Sequence, residues 1–264
     1  MATLPIFEKL WEDYISLNPE ALKIYRLLSD QHEKVLNDHV AFRTFNLPGI
    51  GLSTLAKHFI ELGYSEKNDY IFKEKKLYAK HYEHLDINQP KVFISELELD
   101  KVSPFIRTTI EKVFENFDYS KASSPEFLCS GATWKRSYQT YEALYKESEY
   151  AAWTYAYGFR ANHFTVNVNQ LKKFSDLPKL NNFIKTNGFQ LNQSGGEIKG
   201  TPEEMLEQSS TMAKDVAIEF EDGTHKIPAC YYEFAKRYPM NDGKLYQGFI
   251  AKSADKIFES TNKT

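Results

Sequence analysis

The chain has 264 residues, 42% hydrophobic and 26% charged, with 33 basic against 36 acidic side chains and a net charge of −3. This is the make-up of an ordinary globular protein of one large or two small fused domains, without the basic excess of a general nucleic-acid binder. No apolar run reaches the roughly 18–20 residues of a membrane span, the first ten residues lack a secretory signal pattern, and two cysteines, Cys129 and Cys230, are too few for a disulfide framework or a Cys-ligated zinc site. The expectation is a reduced, cytoplasmic protein with no nucleic-acid or membrane partner, as a monomer or homodimer.

In chain order, residues 5–36 read as helices, with Phe7, Leu10, Trp11, Tyr14 and Ile15 at helical spacing and a break at Asn18-Pro19. Val40–Phe45 reads as a strand, Leu47-Pro48-Gly49 as a turn, and Leu52–Leu62 as an amphipathic helix closed by Gly63. Three short strands follow at Tyr70–Phe72, Lys76–Ala79 and Lys91–Leu97. Residues 103–158 form a helical insert, periodic over Phe105–Phe117 and Tyr138–Tyr157, with Ser123-Ser124-Pro125 as a loop. Phe105, Ile106, Ile110, Val113 and Phe114 supply an apolar stripe that needs a partner surface. The insert is therefore expected to cover a barrel or flank its mouth.

Asn162–Val168 is a second strand, Leu177–Asn187 a helix, Gln193–Gly196 a loop, and Val216–Phe220 with His225–Phe234 a hairpin across Asp222-Gly223. Asp38-His39-Val-Ala-Phe and Asn162-His163-Phe-Thr-Val line up, each followed by a helix ending in Gly-aromatic. The chain reads as a degenerate duplication of a β-α-β-β-β unit. The expected fold is α+β: one domain over 1–264, with modules 37–100 and 160–240, N-terminal helices 5–36 and the insert 103–158.

Side chains alternate along a strand, so His39, Ala41 and Arg43 share one face, as do His163, Thr165 and Asn167. On a third strand Tyr231, Glu233 and Ala235 point together, and Glu233 sits in an aromatic setting that penalises a free carboxylate. Two histidines and a carboxylate with open positions describe the facial triad of non-haem Fe(II) oxygenases. The alternative is that both are ordinary strand histidines and that Glu233 pairs with Arg237. His81-Tyr-Glu-His84 is metal-like in composition but its histidines face opposite ways on a strand, which reads as a solvated turn. Glu96 reads as structural, and no Gly-x-Ser-x-Gly nucleophile elbow is present.

Asn37–Thr44, Ala151–Gly158, Asn162–Thr165, Tyr232–Arg237 and the closing Gly248-Phe249 … Ser253–Thr261 segment resemble the landmarks of the 2-oxoadipate dioxygenase/decarboxylase (hydroxyglutarate synthase) family. The resemblance runs from about residue 35 to the end. It implies a vicinal-oxygen-chelate-like barrel of paired β-α-β-β-β modules, and a reaction in which 2-oxoadipate and O2 give D-2-hydroxyglutarate and CO2 in lysine catabolism. It implies Fe(II), with zinc another divalent ion a purified sample could hold, on His39, His163 and Glu233. It makes Arg43 the catalytic anchor of a substrate carboxylate and places Ser253 beside the substrate. Lys252 departs from the small apolar residue expected before that serine. The rivals are a glyoxalase-like isomerase or lyase that uses no O2, and a non-catalytic binder of a small acid or metal.

Overall fold

The computed structural model describes residues 3–262; the two outermost residues at each end of the expected 1–264 domain lie outside the described residues. Helices α1 (Pro5–Leu17) and α2 (Pro19–Asp30) precede strand β1 (Asn37–Phe45), helix α3 (Leu52–Ile60) and strands β2 (Tyr64–Phe72), β3 (Leu77–His84) and β4 (Lys91–Leu97). Asn18 separates the first two helices: its side chain caps α2 by accepting from Ala21 N, and Pro19 occupies the first turn. The insert carries α4 (Pro104–Phe114), two short 3₁₀ turns at Tyr119–Ser123 and Pro125–Cys129, α5 (Tyr138–Glu147) and α6 (Glu149–Tyr157). The single helical stretch expected over Tyr138–Tyr157 is thus two helices, because Ser148 leaves the helical conformation and caps α6 through Ala151 N. Ile106, Ile110 and Phe114 are buried as expected of the α4 stripe, whereas Phe105 is exposed.

Then come β5 (Ala161–Asn167), α7 (Leu177–Thr186), β6 (Lys199–Thr201), β7 (Leu206–Ser210), β8 (Asp215–Phe220), β9 (Gly223–Pro228), β10 (Tyr231–Arg237) and α8 (Ala251–Ile257). Eight strands form one sheet in the order β2-β3-β4-β1-β5-β10-β7-β6, while β8 and β9 pair only with each other. This corrects the expected hairpin. The hairpin ends at Pro228, Ala229-Cys230 breaks the run, and Tyr231 onward belongs to the main sheet. Strands β6 and β7 were not expected, because Leu-Glu-Gln-Ser-Ser has almost no apolar alternation.

The sheet is symmetric about the antiparallel β1–β5 seam, since β1 runs parallel to β4 and β5 parallel to β10. Each half has β-α-β-β-β order: β1-α3-β2-β3-β4 as expected, and β5-α7-β6-β7-β10, in which β6 and β7 take the place given to the hairpin and β8–β9 is an insertion. One face of the curled sheet carries Val40, Phe42, Phe164, Tyr232 and Phe234, all buried. On it Phe42 packs against Phe59 of α3, and Trp11 and Tyr14 of α1 against Phe164 and Tyr232. The opposite, concave face receives α6 and α8. α8 touches β6 and β7 at one edge of the sheet and β2 at the other, so it bridges the two edge strands. No described helix is long and apolar enough to cross a membrane.

Candidate metal centre

The β1–β5–β10 register builds the site. His39 pairs with Thr165, which pairs with Glu233; one row along, Ala41 pairs with His163, which pairs with Tyr231. Alternation puts all six on the concave face. His39, His163 and Glu233 are buried, and each offers a ligand atom within 4.8 Å of the other two. Glu233 Oε2 lies 3.2 Å from His163 Nε2, and Oε1 lies 3.7 Å from His39 Nε2.

Both imidazoles are held from behind. His39 Nδ1 is 2.8 Å from Asp38 Oδ1, and His163 Nδ1 is 3.0 Å from Asn162 Oδ1. Each acceptor fixes the proton on Nδ1 and leaves the Nε2 lone pair facing the centre, the arrangement by which metal-binding histidines are oriented. Thr165 Oγ1, 3.0 Å from His39 Nε2, donates to that lone pair. Asp38 and Asn162 lie at shifts in the β1–β5 register, where each strand skips one pairing. Such a bulge lets consecutive side chains reach the same side of the sheet, so strict alternation misses both residues.

Asp38 also accepts from Arg237 Nε at 2.7 Å and Nη2 at 2.8 Å, while Arg237 Nη1 donates to Tyr246 O and Gly248 O. Burial pushes the Asp38 carboxyl up, but Arg237 and Lys91 outweigh it and hold the group well below the usual range. The alternative pairing of Glu233 with Arg237 is therefore not the one formed: Arg237 serves the carboxylate that orients His39. Glu233 accepts from Gln208 Nε2 at 2.5 Å. Burial pushes its carboxyl up to about 8, and lowers both histidines, His163 well below its usual value. Two neutral imidazoles and a carboxylate lacking a full counter-charge are a donor set that a divalent cation fits.

Arg43 is buried two residues beyond Ala41, its guanidinium packed over the rings of Tyr150, Trp153 and Phe258 at 5.0–5.6 Å. Nη1 pairs with Glu149 at 2.8 Å and Nη2 donates to Thr261 Oγ1 at 3.1 Å, while Nε has no partner among the described residues. Glu149 also lines, with Tyr150, Phe258 and Lys75, a surface cavity of about 290 Å³. Ser253 is buried on α8 facing β6, its Oγ 3.2 Å from where a Cβ on Gly200 would stand. Gly200 has φ +81 and a Cβ there would collide with Leu206 O, so glycine is required for this close approach. Lys252 is exposed.

Lys199 was missed by sequence reading. It is buried on β6 opposite Gln208, on the same face. Its Nζ donates to Asn192 O at 2.6 Å and Glu197 O at 3.5 Å, and it forms no ion pair among the described residues. Burial pulls it down to about 8, against the pull of Glu233. His81 corrects the solvated-turn expectation: it is buried, between Tyr70 Oη at 2.9 Å and Glu83 Oε1 at 3.0 Å. Glu96 is structural as expected, accepting from Leu52 N at the start of α3.

A sequence profile of the 2-oxoadipate dioxygenase/decarboxylase family matches residues 3–123 and 120–244. The chain belongs to that family. The family's rice enzyme, chloroplastic/amyloplastic 2-oxoadipate dioxygenase/decarboxylase of Oryza sativa, is 35% identical over 94% of this chain and 76% of its own length. The solved structure of Oryza sativa hydroxyglutarate synthase in complex with 2-oxoadipate superposes with a TM-score of 0.91 at 35% identity, covering 97% of this chain and 90% of that one. A Shewanella frigidimarina protein with a provisional hydrolase description reaches 0.89 at 50% identity, covering 93% and 96%. A Ralstonia eutropha protein provisionally placed in the glyoxalase superfamily shares the fold at 19% identity and a TM-score of 0.74, over 93% and 85% of the two chains. The vicinal-oxygen-chelate-like architecture is thus common to this family and its more distant neighbours.

Proposed function

We propose that the protein is an Fe(II)-dependent dioxygenase/decarboxylase converting 2-oxoadipate, or a 2-oxo acid of similar length, with O2 to D-2-hydroxyglutarate and CO2, in cytoplasmic lysine catabolism. The observation that carries this reading is the buried meeting of two Nε2 atoms and the Glu233 carboxylate, each imidazole locked by its own acceptor. His39, His163 and Glu233 would hold the metal, and Fe(II) bound there would supply the redox chemistry that joins O2 to a 2-oxo acid.

The chain's own groups do the rest. The Arg43 guanidinium stands beside the triad, with Nε free to donate to a carboxylate, and its packing against three rings fixes its plane. Towards the β6 edge of the sheet, Lys199 on β6 and Ser253 on α8 beside it would offer an ammonium and a hydroxyl to the second carboxylate of a dicarboxylic acid. Phe249, 4.8 Å from the His39 ring, and Tyr231, 4.5 Å from the His163 ring, wall the site and exclude water.

The test is anaerobic loading with Fe(II), then oxygen-electrode assays over a panel of 2-oxo acids. Matched O2 uptake and CO2 release with 2-oxoadipate is the expected result. Conversion of a substrate without O2 consumption would identify an isomerase or lyase, and recovery of every acid unchanged would identify a binding protein. Either outcome overturns the proposal.

A further inference from the structure

Three buried donors on the concave face lack a partner among the described residues: Asn162 Nδ2, whose own Oδ1 is taken by His163, Arg43 Nε and Tyr231 Oη. Tyr231 opens β10 and pairs with His163, whose other neighbour is Ala41, the small residue beneath the space between His39 and Arg43. Its ring is fully buried and stacks on His163 at 4.5 Å and 24°. Tyr14 Oη donates to its backbone carbonyl at 2.5 Å, which anchors the residue from the opposite side of the sheet. The ring therefore stands on the same face as the triad and Arg43. The phenol O–H is a hydrogen-bond donor. Buried hydroxyls in folded proteins are almost always bonded; one that is not, aimed at a ligand site, marks where a ligand oxygen belongs.

We propose that Tyr231 is a substrate-binding residue, its hydroxyl donating a hydrogen bond, alongside Arg43 Nε, to the carboxylate of a 2-oxo acid seated beside His163. The inference rests on the functional reading above and adds a contact to it. A ring packed on His163 for structural reasons alone would give a different response to loss of its oxygen, and two measurements separate the cases.

The experiment is Tyr231→Phe in protein loaded with redox-inert Zn(II), matched to wild type in metal content. 2-Oxoadipate is titrated in by calorimetry, and the Tm of the ligand-free protein is recorded. A hydrogen bond to a charged group is worth about 10- to 150-fold in Kd, so binding should weaken by that factor. The ligand-free Tm should hold or rise, because the variant discards an unbonded buried oxygen. Affinity within about 2-fold of wild type, or a lowered ligand-free Tm, overturns the inference while leaving the functional reading intact. Wild-type protein that takes up no 2-oxo acid overturns the functional reading, and this inference with it.

Discussion

Asp38→Asn tests how the site is held. Asp38 accepts three charge-assisted contacts at 2.7–2.8 Å, two from Arg237 and one from His39. Asn keeps the volume but turns one acceptor into an NH2 group facing a guanidinium donor, and leaves Arg237 buried without its counter-charge. Breaking one side of a buried ion pair costs about 3–5 kcal/mol, a large part of the about 5–15 kcal/mol that stabilises a typical domain. Urea unfolding of the metal-free protein reads this loss. Loosening the acceptor behind a metal-binding histidine lowers metal affinity about 10- to 100-fold, which a competitive chelator titration reads. The double variant Asp38→Leu/Arg237→Met separates the two effects. With both partners replaced by apolar groups most of the stability should return, yet metal affinity should stay low, because His39 Nδ1 has no acceptor. An Asp38→Asn protein within about 1 kcal/mol of wild type, or a double variant that regains metal affinity along with stability, would refute the reasoning.

Arg43→Lys keeps the charge but loses the planar fork, and should lower kcat/KM by about 10- to 150-fold with metal content unchanged; wild-type kinetics or lost metal would contradict the role. Lys199→Met should weaken 2-oxoadipate binding by a similar factor while leaving 2-oxohexanoate, which has no second carboxylate, within about 2-fold. Since burial pulls Lys199 down to about 8, wild-type affinity for the dicarboxylate should fall as pH rises through that value and the ammonium is lost; an equal decline for 2-oxohexanoate would count against it. Glu233 is shifted the other way, upward. With its carboxyl raised from 4.5 to about 8, the folded metal-free protein keeps a proton that the unfolded chain has shed, so its contribution to stability is full below about 4.5 and declines as pH climbs to about 8. Metal uptake at pH 7 should expel that proton, seen as a calorimetric enthalpy that tracks buffer ionisation heat, and no buffer dependence would refute it.

Local pattern was enough to place the modules. Apolar alternation in Val40–Phe45 and Asn162–Val168, the aligned Asp38-His39 and Asn162-His163 pairs, and helices ending at Gly63 and Gly188 already mark the β-α start of two related units, because strand and helix periodicities are properties of neighbours in sequence; β6 and β7 of the second carry no such pattern. Alternation likewise put His39, Ala41 and Arg43 on one face, and Tyr231 with Glu233, as the structure has them. What neighbours cannot specify is which strands become adjacent. Only the sheet order brings β10 against β5, and with it Glu233 to within 3.2 Å of His163. Only the bulges turn Asp38 and Asn162 inward, against the alternation the sequence suggests. Arg237 reached Asp38 rather than Glu233, Glu149 claimed one arm of Arg43, and Lys199 was buried from a stretch with no apolar signal. Each of these is a contact across more than 35 residues, or a burial imposed by a helix arriving from elsewhere in the chain. Such partners are chosen by packing the whole sheet at once, so the tertiary structure alone decided them.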